Sequence, residues 1–559
     1  MKMETFNLVD QPWIPCITLR GTLGRYGLLQ TLALARDFAE IRDSSPLVTI
    51  SLYRLLLALL HRVFGPESPE VWGDLWRNGD GSFDPGKLET YLKSPQIYPR
   101  FDLFDKEHPF YQTAGLPFGS TEEEAKFVKP IAHLAHEQEY SDGLNLFSHF
   151  TETSWETRPP QEAACWLVAF QAFALCGLIT TEEGRKKQDG SADAGQLVKS
   201  ALAIVNGNNL FETLMFNLVH YSAEDEEPFA FRKQADKPAW ERDDSPRLQH
   251  YDFDRRFDGY LDLLTWQSRR VRLRGEWNDD GKLLGVSGAV TMKGFQLSDL
   301  LRFGRETMVG FVRNKNAKRG QDPWPPLGFQ NGKALWRSCH VLFRSISEES
   351  ERPKNLKWVE DLRSMGRLNT NQVALDVLGL SSDQAKVFFW RHESWPLPLD
   401  YLKDLLLLES LKQVLDLAER VEKVLRDAVR VAAATALKPG KDFNKRSKKD
   451  REATDRVVNS LAPDRPYWAR LENPFRTVME KLASADATTR KQLTKIWYSD
   501  TLCKEAWQAF HRTAGGMESS SRALRAAVSG EECLKRGLNV IQRLYHFESN
   551  NAGEQQNNG

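Results

Sequence analysis

Cysteines are few in this sequence, and none of them is spaced for a shared site. The six cysteines are scattered through 559 residues without a single C-x-x-C pair. Disulfide scaffolds and zinc ribbons depend on closely spaced cysteines. We therefore expect reduced, buried thiols, with neither a disulfide framework nor a metal site.

Long apolar runs are also missing. Uninterrupted apolar runs, such as residues 405–408 (LLLL), are far shorter than the roughly 20 residues that cross a bilayer. The first residues carry Glu4 and Asp10 and lack the continuous apolar stretch of a secretory signal. We expect a protein without a membrane segment that stays in the cytoplasm.

The chain has no excess of charge of either sign. Lysine and arginine together number 76, and so do aspartate and glutamate. A free-standing protein that coats DNA usually has a large positive excess. Contact with nucleic acid would therefore have to use local basic patches, with help from partner subunits.

The common catalytic motifs are absent too. The sequence contains no GxxxxGK[ST] phosphate loop, no HExxH, no GxSxG and no GxGxxG after a strand. We predict no catalytic residues and no cofactor. Two clusters leave alternatives open: residues 133–137 (HLAHE) suit a metal or an exposed helix, and residues 391–393 (RHE) suit catalysis or a structural hydrogen-bonded group.

The composition indicates a folded protein with at least two domains. Hydrophobic residues make up 41% of the chain, and a single core stops growing at about 250–300 residues. Through residue 394, strand-like runs alternate irregularly with helices, which predicts an α+β domain over residues 1–394. Within it, residues 159–175 predict a helix and residues 269–273 a strand.

From residue 395 onward the pattern is helical. Further helices are predicted at 449–461, 468–482, 490–513 and 520–547, and four amphipathic faces are most simply buried in a C-terminal four-helix bundle, residues 395–547. Residues 548–559 form a polar tail that we expect to be disordered. One apolar face runs along residues 402–437 and consists of Leu411, Val414, Leu415, Ala418, Val421, Leu425 and Ala428.

Two basic segments are candidates for phosphate contacts. Residues 445–451 (KRSKKDR), within the predicted loop 438–451, suit a phosphate backbone or a solvated loop equally well. Residues 313–320 (RNKNAKRG) lie between predicted strands and end in turn-forming residues. A basic hairpin of this kind could reach into a DNA groove.

Several segments occur in a distinctive order along the chain. They are 10–15 (DQPWIP), 107–113 (EHPFYQT), 145–149 (NLFSH), 171–175 (QAFAL), 209–214 (NLFETL), 260–270 (YLDLLTWQSRR), 383–386 (DQAK), 390–393 (WRHE) and 467–472 (YWARLE). In this order they resemble the motifs of the CasA family, the large subunits of the type I-E CRISPR Cascade complex.

The resemblance implies a specific function without chemistry of its own. It implies partners in the other Cascade subunits, the crRNA 5′ handle, double-stranded target DNA and the Cas helicase-nuclease. A member of this family would recognise the protospacer-adjacent motif (PAM), help open the duplex for R-loop formation, and recruit the nuclease in antiviral defence. It also implies a mixed N-terminal domain followed by a four-helix bundle.

The resemblance assigns a wedge beneath the PAM to the turn that contains Ser382, Asp383, Gln384 and Ala385. An amide side chain inserted at a base step can offset part of the cost of unstacking. An ordinary polar turn, or a register centred on residues 371–372 (NQ), is the alternative.

Two further loops are assigned in the same way. Asn145, Phe147 and His149 match a loop that meets the crRNA handle and DNA, although Phe147 would equally suit packing against the next helix. Gly177 is the one glycine left where the family has a glycine-rich loop against the minor groove, so the preferred PAM does not follow from the resemblance.

The family's lysine finger has no secure counterpart in the sequence. We place it among Arg313, Lys315, Lys318 and Arg319, and favour Lys315. A divergent nuclease subunit and a purely structural ribonucleoprotein scaffold are the alternative functions.

Overall fold

In the computed structural model the chain divides into two units, Met1–Leu397 and Pro398–Gly559. The division lies close to the boundary predicted between residues 394 and 395. The structure describes residues 3–78, 81–116, 127–135, 156–179, 190–221, 236–243, 254–255, 257–297, 306–318, 323–344, 350–383, 386–438, 447–515 and 520–545. The polar tail, 548–559, lies outside these residues.

The first unit mixes short helices and strands, as the α+β prediction requires. Its α-helices are α1 (Leu28–Ala33), α2 (Pro46–Val63), α3 (Pro69–Asn78), α4 (Pro85–Leu92), α5 (Pro160–Phe173), α6 (Leu210–Asn217), α7 (Tyr260–Leu264), α8 (Cys339–Phe343) and α9 (Lys354–Ser364). Short 3₁₀ turns lie at Ala35–Asp37, Tyr98–Phe101, Ile131–Leu134, Ala239–Glu241 and Leu335–Ser338. Helix α5 confirms the helix predicted over 159–175.

The strands of this unit form several small sheets. They are β1 (Ile14–Thr18), β2 (Leu23–Tyr26), β3 (Phe38–Ile41), β4 (Val128–Pro130), β5 (Gly177–Leu178), β6 (Ser191–Ala192), β7 (Ala201–Asn206), β8 (Asp254–Arg255), β9 (Arg269–Trp277), β10 (Leu283–Lys293), β11 (Gln296–Leu297), β12 (Phe311–Val312), β13 (Ser350–Glu351), β14 (Gln372–Asp383) and β15 (Lys386–Pro398). The three-stranded sheets have the orders β2-β1-β3, β4-β10-β9 and β15-β14-β7. Strand β9 confirms the strand predicted at 269–273.

Helix α2 is the central core helix of the first unit. Ser45 caps it by accepting a hydrogen bond from Val48 N, and Pro46 occupies its first turn. The helix has the length and composition of a membrane span, which the search for uninterrupted apolar runs missed because polar residues interrupt it. However, 89% of that stretch is buried inside the protein, where α2 packs against α5, α7 and β14. It is therefore a core helix here.

The second unit is helical and begins with a 3₁₀ turn, Leu399–Leu402. Its first helix runs the whole length of the bundle, and every residue of its predicted apolar face is buried. The helices are α10 (Leu405–Leu437), α11 (Lys448–Leu461), α12 (Asp464–Ala483), α13 (Ala487–Ile496), α14 (Cys503–Gly515) and α15 (Ser521–Leu544). Helices α11, α12, α14 and α15 all pack against α10, so that α10 is the centre of the predicted bundle.

Two irregularities shape the bundle. Between α11 and α12, Ala462 adopts a left-handed conformation (φ 42°) and Pro463 follows, so the chain breaks where a continuous helix would run on. Between α13 and α14, residues Trp497–Leu502 form a π-helical segment. There, Trp497 Nε1 donates to Val414 O of α10 at 3.1 Å, which ties two helices together through a backbone acceptor.

Candidate nucleic-acid interface

The predicted wedge lies at the end of a long hairpin. Strand β14 pairs with β7 from Ala374, opposite Asn206, to Gly379, opposite Ala201. It then continues to Asp383, beyond the start of β7. At about 3.3 Å per residue, the extension from 379 to 383 is roughly 13 Å. The hairpin formed by β14 and β15 therefore extends well past the start of β7, the third strand of the sheet.

The two residues that join these strands are Gln384 and Ala385, which lie outside the described residues. Strand β14 ends one residue before them and β15 begins one residue after, and the two strands are neighbours in the sheet. Ser382 is half-buried at the end of β14. Gln372, in the alternative register, lies at the opposite end of β14.

A basic arm leaves the same end of β7. On the side of β7 away from β14, Ala203 N donates to Met308 O and Ala201 N donates to Leu327 O, both at 2.8 Å. The segment 308–309 runs antiparallel to β7, as the bridge between Leu202 and Val309 shows. Residues after 309 therefore proceed beyond the start of β7, in the same direction as the end of β14.

The arm returns on itself beside residues 323–326. Val312 N donates to Pro325 O and Asn314 N to Pro323 O, and a bridge joins Phe311 to Pro326. The prediction of flanking strands is only partly right, because β12 precedes the basic segment but the returning segment carries prolines, which lack the N–H that a second ladder strand needs. We call residues 311–326 the basic arm.

The described cations of the basic arm face solvent. Arg313, Lys315 and Lys318 are exposed, and the backbone between them turns tightly because Asn316 N donates to Asn314 Oδ1 at 3.0 Å. Arg319 lies outside the described residues. The structure therefore brings two predicted contacts, the hairpin and the basic arm, to one end of β7.

Two glycines let these segments cross the backbone that enters β7. A Cβ on Gly379 would lie 2.4 Å from Ser200 O, and one on Gly328 would lie 2.3 Å from Lys199 O. Both neighbours are backbone atoms, so they cannot rotate away as a side chain would. The sequence motif pointed to the turn beyond Gly379 but not to this crossing point.

The remaining predicted residues lie elsewhere. Gly177 belongs to a separate two-stranded ribbon, β5-β6, where it has a φ of 151° that favours glycine. Its neighbour Leu178 is 94% exposed. Asn145, Phe147 and His149 lie outside the described residues, as does most of the basic loop 438–451.

The charged residues after the wedge have structural partners. His392 Nε2 lies 2.9 Å from Asp376 Oδ2 across the hairpin. Glu393 accepts hydrogen bonds from Leu335 N and Trp336 N and so anchors a 3₁₀ turn. Burial alone would raise the pKa of the Asp376 carboxyl, but the adjacent His392 and the Ser394 hydroxyl hold that pKa below its ordinary value.

Trp390 is a feature of the hairpin that sequence reasoning missed as a functional residue. It lies on β15, near the wedge turn, and its side chain remains 42% exposed. An exposed tryptophan on an extended hairpin can stack on a base. The signal available in the sequence is its position within the 390–393 motif, which carries the family resemblance.

The described residues contain no group of three or more His, Cys, Asp and Glu side chains placed to hold a metal ion. His133 lies in a 3₁₀ turn with its Nε2 3.4 Å from Lys129 Nζ. The other members of that candidate cluster, His136 and Glu137, are outside the described residues. The cysteines that the structure describes are free thiols, and burial raises the pKa of Cys165 to about 12.

Comparison with known proteins identifies the family. The model of the family "CRISPR-associated protein Cse1" matches residues 7–509. CasA/Cse1 from Thermus thermophilus is 32% identical over 555 residues, covering 96% of this chain and 98% of that protein. A crystal structure of Thermus thermophilus CasA superposes with a TM-score of 0.76 at 28% identity, covering 96% of this chain and 100% of that chain.

More distant structures share the fold. Cse1 from Acidimicrobium ferrooxidans has a TM-score of 0.79 at 24% identity, covering 98% of this chain and 100% of that chain. A chain of a CRISPR RNA-guided surveillance complex has a TM-score of 0.71 at 17% identity, covering 95% of this chain and 99% of that chain. With a family model and a curated relative that both cover most of its length, the chain belongs to the Cse1 (CasA) family of CRISPR-associated proteins, as its motifs predicted.

Proposed function

We propose that the chain is the subunit of a Cascade surveillance complex that inspects duplex DNA beside the target and helps to open it. One observation carries the proposal. The β14-β15 hairpin extends past β7, its strands are joined by Gln384 and Ala385, and the basic arm leaves the same end of β7. A probe for the base stack and a holder for the phosphates are thus side by side.

The two parts have complementary physical roles. Exposed cations on the basic arm neutralise phosphates and bind without regard to sequence. A side chain at the hairpin turn fills the gap left when a base step is unstacked, which costs a few kcal/mol. The arm therefore holds the duplex while the turn stabilises its opened form.

The same proposal includes partners and a division of labour. The chain would bind other Cascade subunits and, through residues 145–149, the crRNA 5′ handle. It would recognise the PAM, and it would recruit a Cas helicase-nuclease that performs the cutting, so that this subunit catalyses nothing itself. Family membership supports these roles, which belong to antiviral defence in the cytoplasm.

The substitution Gln384→Ala tests the wedge. In a reconstituted complex we expect it to slow R-loop formation on an intact duplex about tenfold, which corresponds to about 1.4 kcal/mol. Binding to a target with a pre-opened bubble should stay nearly normal, because a group shifts an equilibrium only by its preference for one of the two states. Real-time R-loop assays on duplex and bubble targets measure both.

Gln372→Ala is the matched control, since Gln372 occupies the far end of the same strand. This variant should leave both R-loop formation on the duplex and binding to the bubble target unchanged. An equal loss on duplex and bubble would indicate a general binding defect, and no loss on either would remove Gln384 from the interface.

A further inference from the structure

The first unit contains a cavity of about 700 Å³, lined by residues far along the chain from the hairpin turn. Its walls come from residues 107–114, 239–243 and 265–270, with single residues from neighbouring segments. Two of these stretches overlap segments that carry the family resemblance, 107–113 and 260–270. Its volume lies within the range of about 300–1,000 Å³ typical of ligand pockets.

The cavity is lined by more positive than negative side chains. Three carboxylates lie in the lining, Glu107, Asp243 and Asp262. The guanidinium groups outnumber them, and belong to Arg100, Arg242, Arg255, Arg269 and Arg270. Three of them already form ion pairs: Arg100 with Asp243, Arg242 with Asp258, and Arg255 with Asp262. The positive surplus therefore centres on Arg269, and it favours an anionic ligand because a guanidinium group matches phosphate and carboxylate geometry.

Arg269 gives the clearest indication of an anion. Its side chain is 3% exposed, and it donates to the backbone carbonyls of Leu175 and Asp193 and of its own neighbour Ser268. Among the described residues none of its hydrogen-bond acceptors is a carboxylate. Burial lowers the pKa of this guanidinium to about 10, and the charge of the nearby Asp193 carboxylate offsets only part of that effect. A buried cation held by neutral acceptors is stabilised when an anion enters beside it.

Arg255 is held rigidly in the wall. Its guanidinium lies 4.2 Å from the centroids of both Trp266 and Phe295 and makes two hydrogen bonds to the Asp262 carboxylate, at 2.6 and 2.9 Å. Asp262 therefore neutralises this fork, and Arg255 acts as a rigid part of the wall that fixes the positions of Trp266 and Phe295.

The aromatic part of the lining is also unusual. Tyr111 has a φ of 54°, a region that bulky side chains rarely adopt, and its carbonyl accepts a hydrogen bond from Gln171 Nε2 at 3.3 Å. Strain of this kind persists where the surroundings over-determine it, which is common at binding sites. Together with Trp240 and Phe295, Tyr111 gives the cavity flat apolar surfaces among the cations.

We propose that this cavity binds a single-stranded nucleotide unit, with its phosphate against the guanidinium groups and its base against the aromatic surface. Both features occur in one ligand class, because a nucleotide carries an anion and a stacking ring at a short fixed distance. The inference deepens the proposed function in that it gives the subunit a second nucleic-acid site, for an RNA or a DNA strand.

Two substitutions with opposite expected effects on affinity test the site on the isolated full-length chain. Arg100 Nη2 lies 2.7 Å from Asp243 Oδ1 at the mouth of the cavity, and the Asp243 side chain is 62% exposed. Arg100→Gln should weaken binding of a short fluorescent single-stranded oligonucleotide about tenfold. Asp243→Asn should tighten it severalfold, because the variant removes a competing anion and leaves Arg100 in place.

The exposed ion pair between Arg36 and Asp37 provides the matched control. Arg36→Gln and Asp37→Asn should leave the affinity unchanged, since they alter the net charge equally but outside the cavity. If the control pair shifts the affinity as much as the cavity pair, or if Asp243→Asn weakens binding, the proposal is overturned. A folding defect cannot imitate a tightening.

Three probes separate the sources of the ligand. Single-stranded RNA and single-stranded DNA of one sequence are compared, and a free 5′-mononucleotide is used as competitor. The site is supported if the chain prefers one strand or if the mononucleotide displaces the oligonucleotide, provided that Arg100→Gln weakens binding and Asp243→Asn tightens it. The preferred probe then identifies the source of the ligand. Absence of binding for all three overturns it. Because no duplex is used, failure here is distinct from failure of the Gln384 experiment.

Discussion

At the level of single residues, the hairpin is held by polar contacts that fix its shape without any ligand. The pair formed by Asp376 and His392 joins β14 to β15, and Glu393 joins β15 to the turn that begins at Leu335. These groups are half-buried or buried, so each hydrogen bond counts for more than it would on the surface. A rigid hairpin is what a wedge needs, because a flexible one would yield instead of separating bases.

Asp376→Asn should lower the free energy of unfolding at pH 7 by about 1–3 kcal/mol, the typical value for hydrogen bonds to charged groups. The variant should also show a flatter loss of stability in acid. A carboxyl whose folded pKa is lowered binds fewer protons when folded than when unfolded. Its contribution is therefore complete above the unfolded pKa of about 3.9 and is lost as pH falls through the folded value.

Denaturant titrations of both proteins from neutral pH to about pH 3 measure this difference. Asp280→Asn is the control, since this carboxyl is exposed on the turn between β9 and β10. If the free energy of unfolding depends on pH in the same way for Asp376→Asn and for the unmodified protein, the contact with His392 does not contribute to stability.

At the level of elements, periodic segments were predictable and crossing points were not. The apolar face of α10 from Leu411 to Ala428 follows helical spacing, and the structure buries all of it. The basic arm was recognised as a basic hairpin from its composition. Its alignment with the wedge hairpin depends on the pairing of Ala203 with Met308, a contact between residues about a hundred positions apart that no local pattern reveals.

The break in the bundle was predictable from the sequence. The helices predicted at 449–461 and 468–482 leave a gap, and in the structure α11 ends at Leu461 and α12 begins at Asp464, after Ala462 and Pro463. The cavity was not predictable, because it gathers residues from segments that are far apart in sequence, and only their three-dimensional arrangement shows that five arginines meet. Long-range packing, and not propensity, decided the cavity.

Replacing Arg313, Lys315 and Lys318 of the basic arm with alanine should weaken DNA binding by the complex similarly for all target sequences. Each phosphate contact removed should lower the slope of log K against log salt by about 0.9. Titrations at several salt concentrations measure the slope. The control replaces three exposed cations elsewhere, Arg20, Lys87 and Lys491. An unchanged slope in the arm variant would mean that the arm does not touch phosphate.

Gly530→Ala tests a close approach of helices in the bundle. A Cβ at Gly530 would lie 2.6 Å from the Phe510 ring and 3.0 Å from Ala428 O of α10. In an exposed helix this substitution would stabilise by about 1 kcal/mol. Here the overpacking should outweigh that gain and destabilise the protein by about 1–3 kcal/mol.

Thermal unfolding of Gly530→Ala and of its neighbour Ser529→Ala makes the comparison. The Ser529 variant gains helix propensity without adding an atom to the interface, so its melting temperature should rise slightly or stay the same. A rise for both variants would show that α15 can move away from α10 at little cost.

At the level of the whole molecule, charge is balanced in total but concentrated locally. The 76 acidic and 76 basic residues cancel, yet exposed cations gather on the basic arm and guanidinium groups gather in the cavity. A protein with balanced charge has little general attraction for DNA. Under the proposed function, its basic patches would act where they meet a strand held by other subunits. This distribution suits a subunit that samples many sequences and releases most of them.

Omitting the subunit from the complex distinguishes the proposed function from its two alternatives. We expect the remaining complex to keep its crRNA and to bind a single-stranded target, but to lose R-loop formation on duplex DNA. The reason is that pairing with a free strand needs only the guide, whereas opening a duplex needs the wedge and the phosphate contacts. A pure scaffold would instead be required for both targets.

The purified chain alone should leave plasmid DNA uncut in the presence of magnesium, because its sequence contains no recognised catalytic motif. Cleavage that disappears on a point substitution in this chain would establish the nuclease alternative in place of the proposed function.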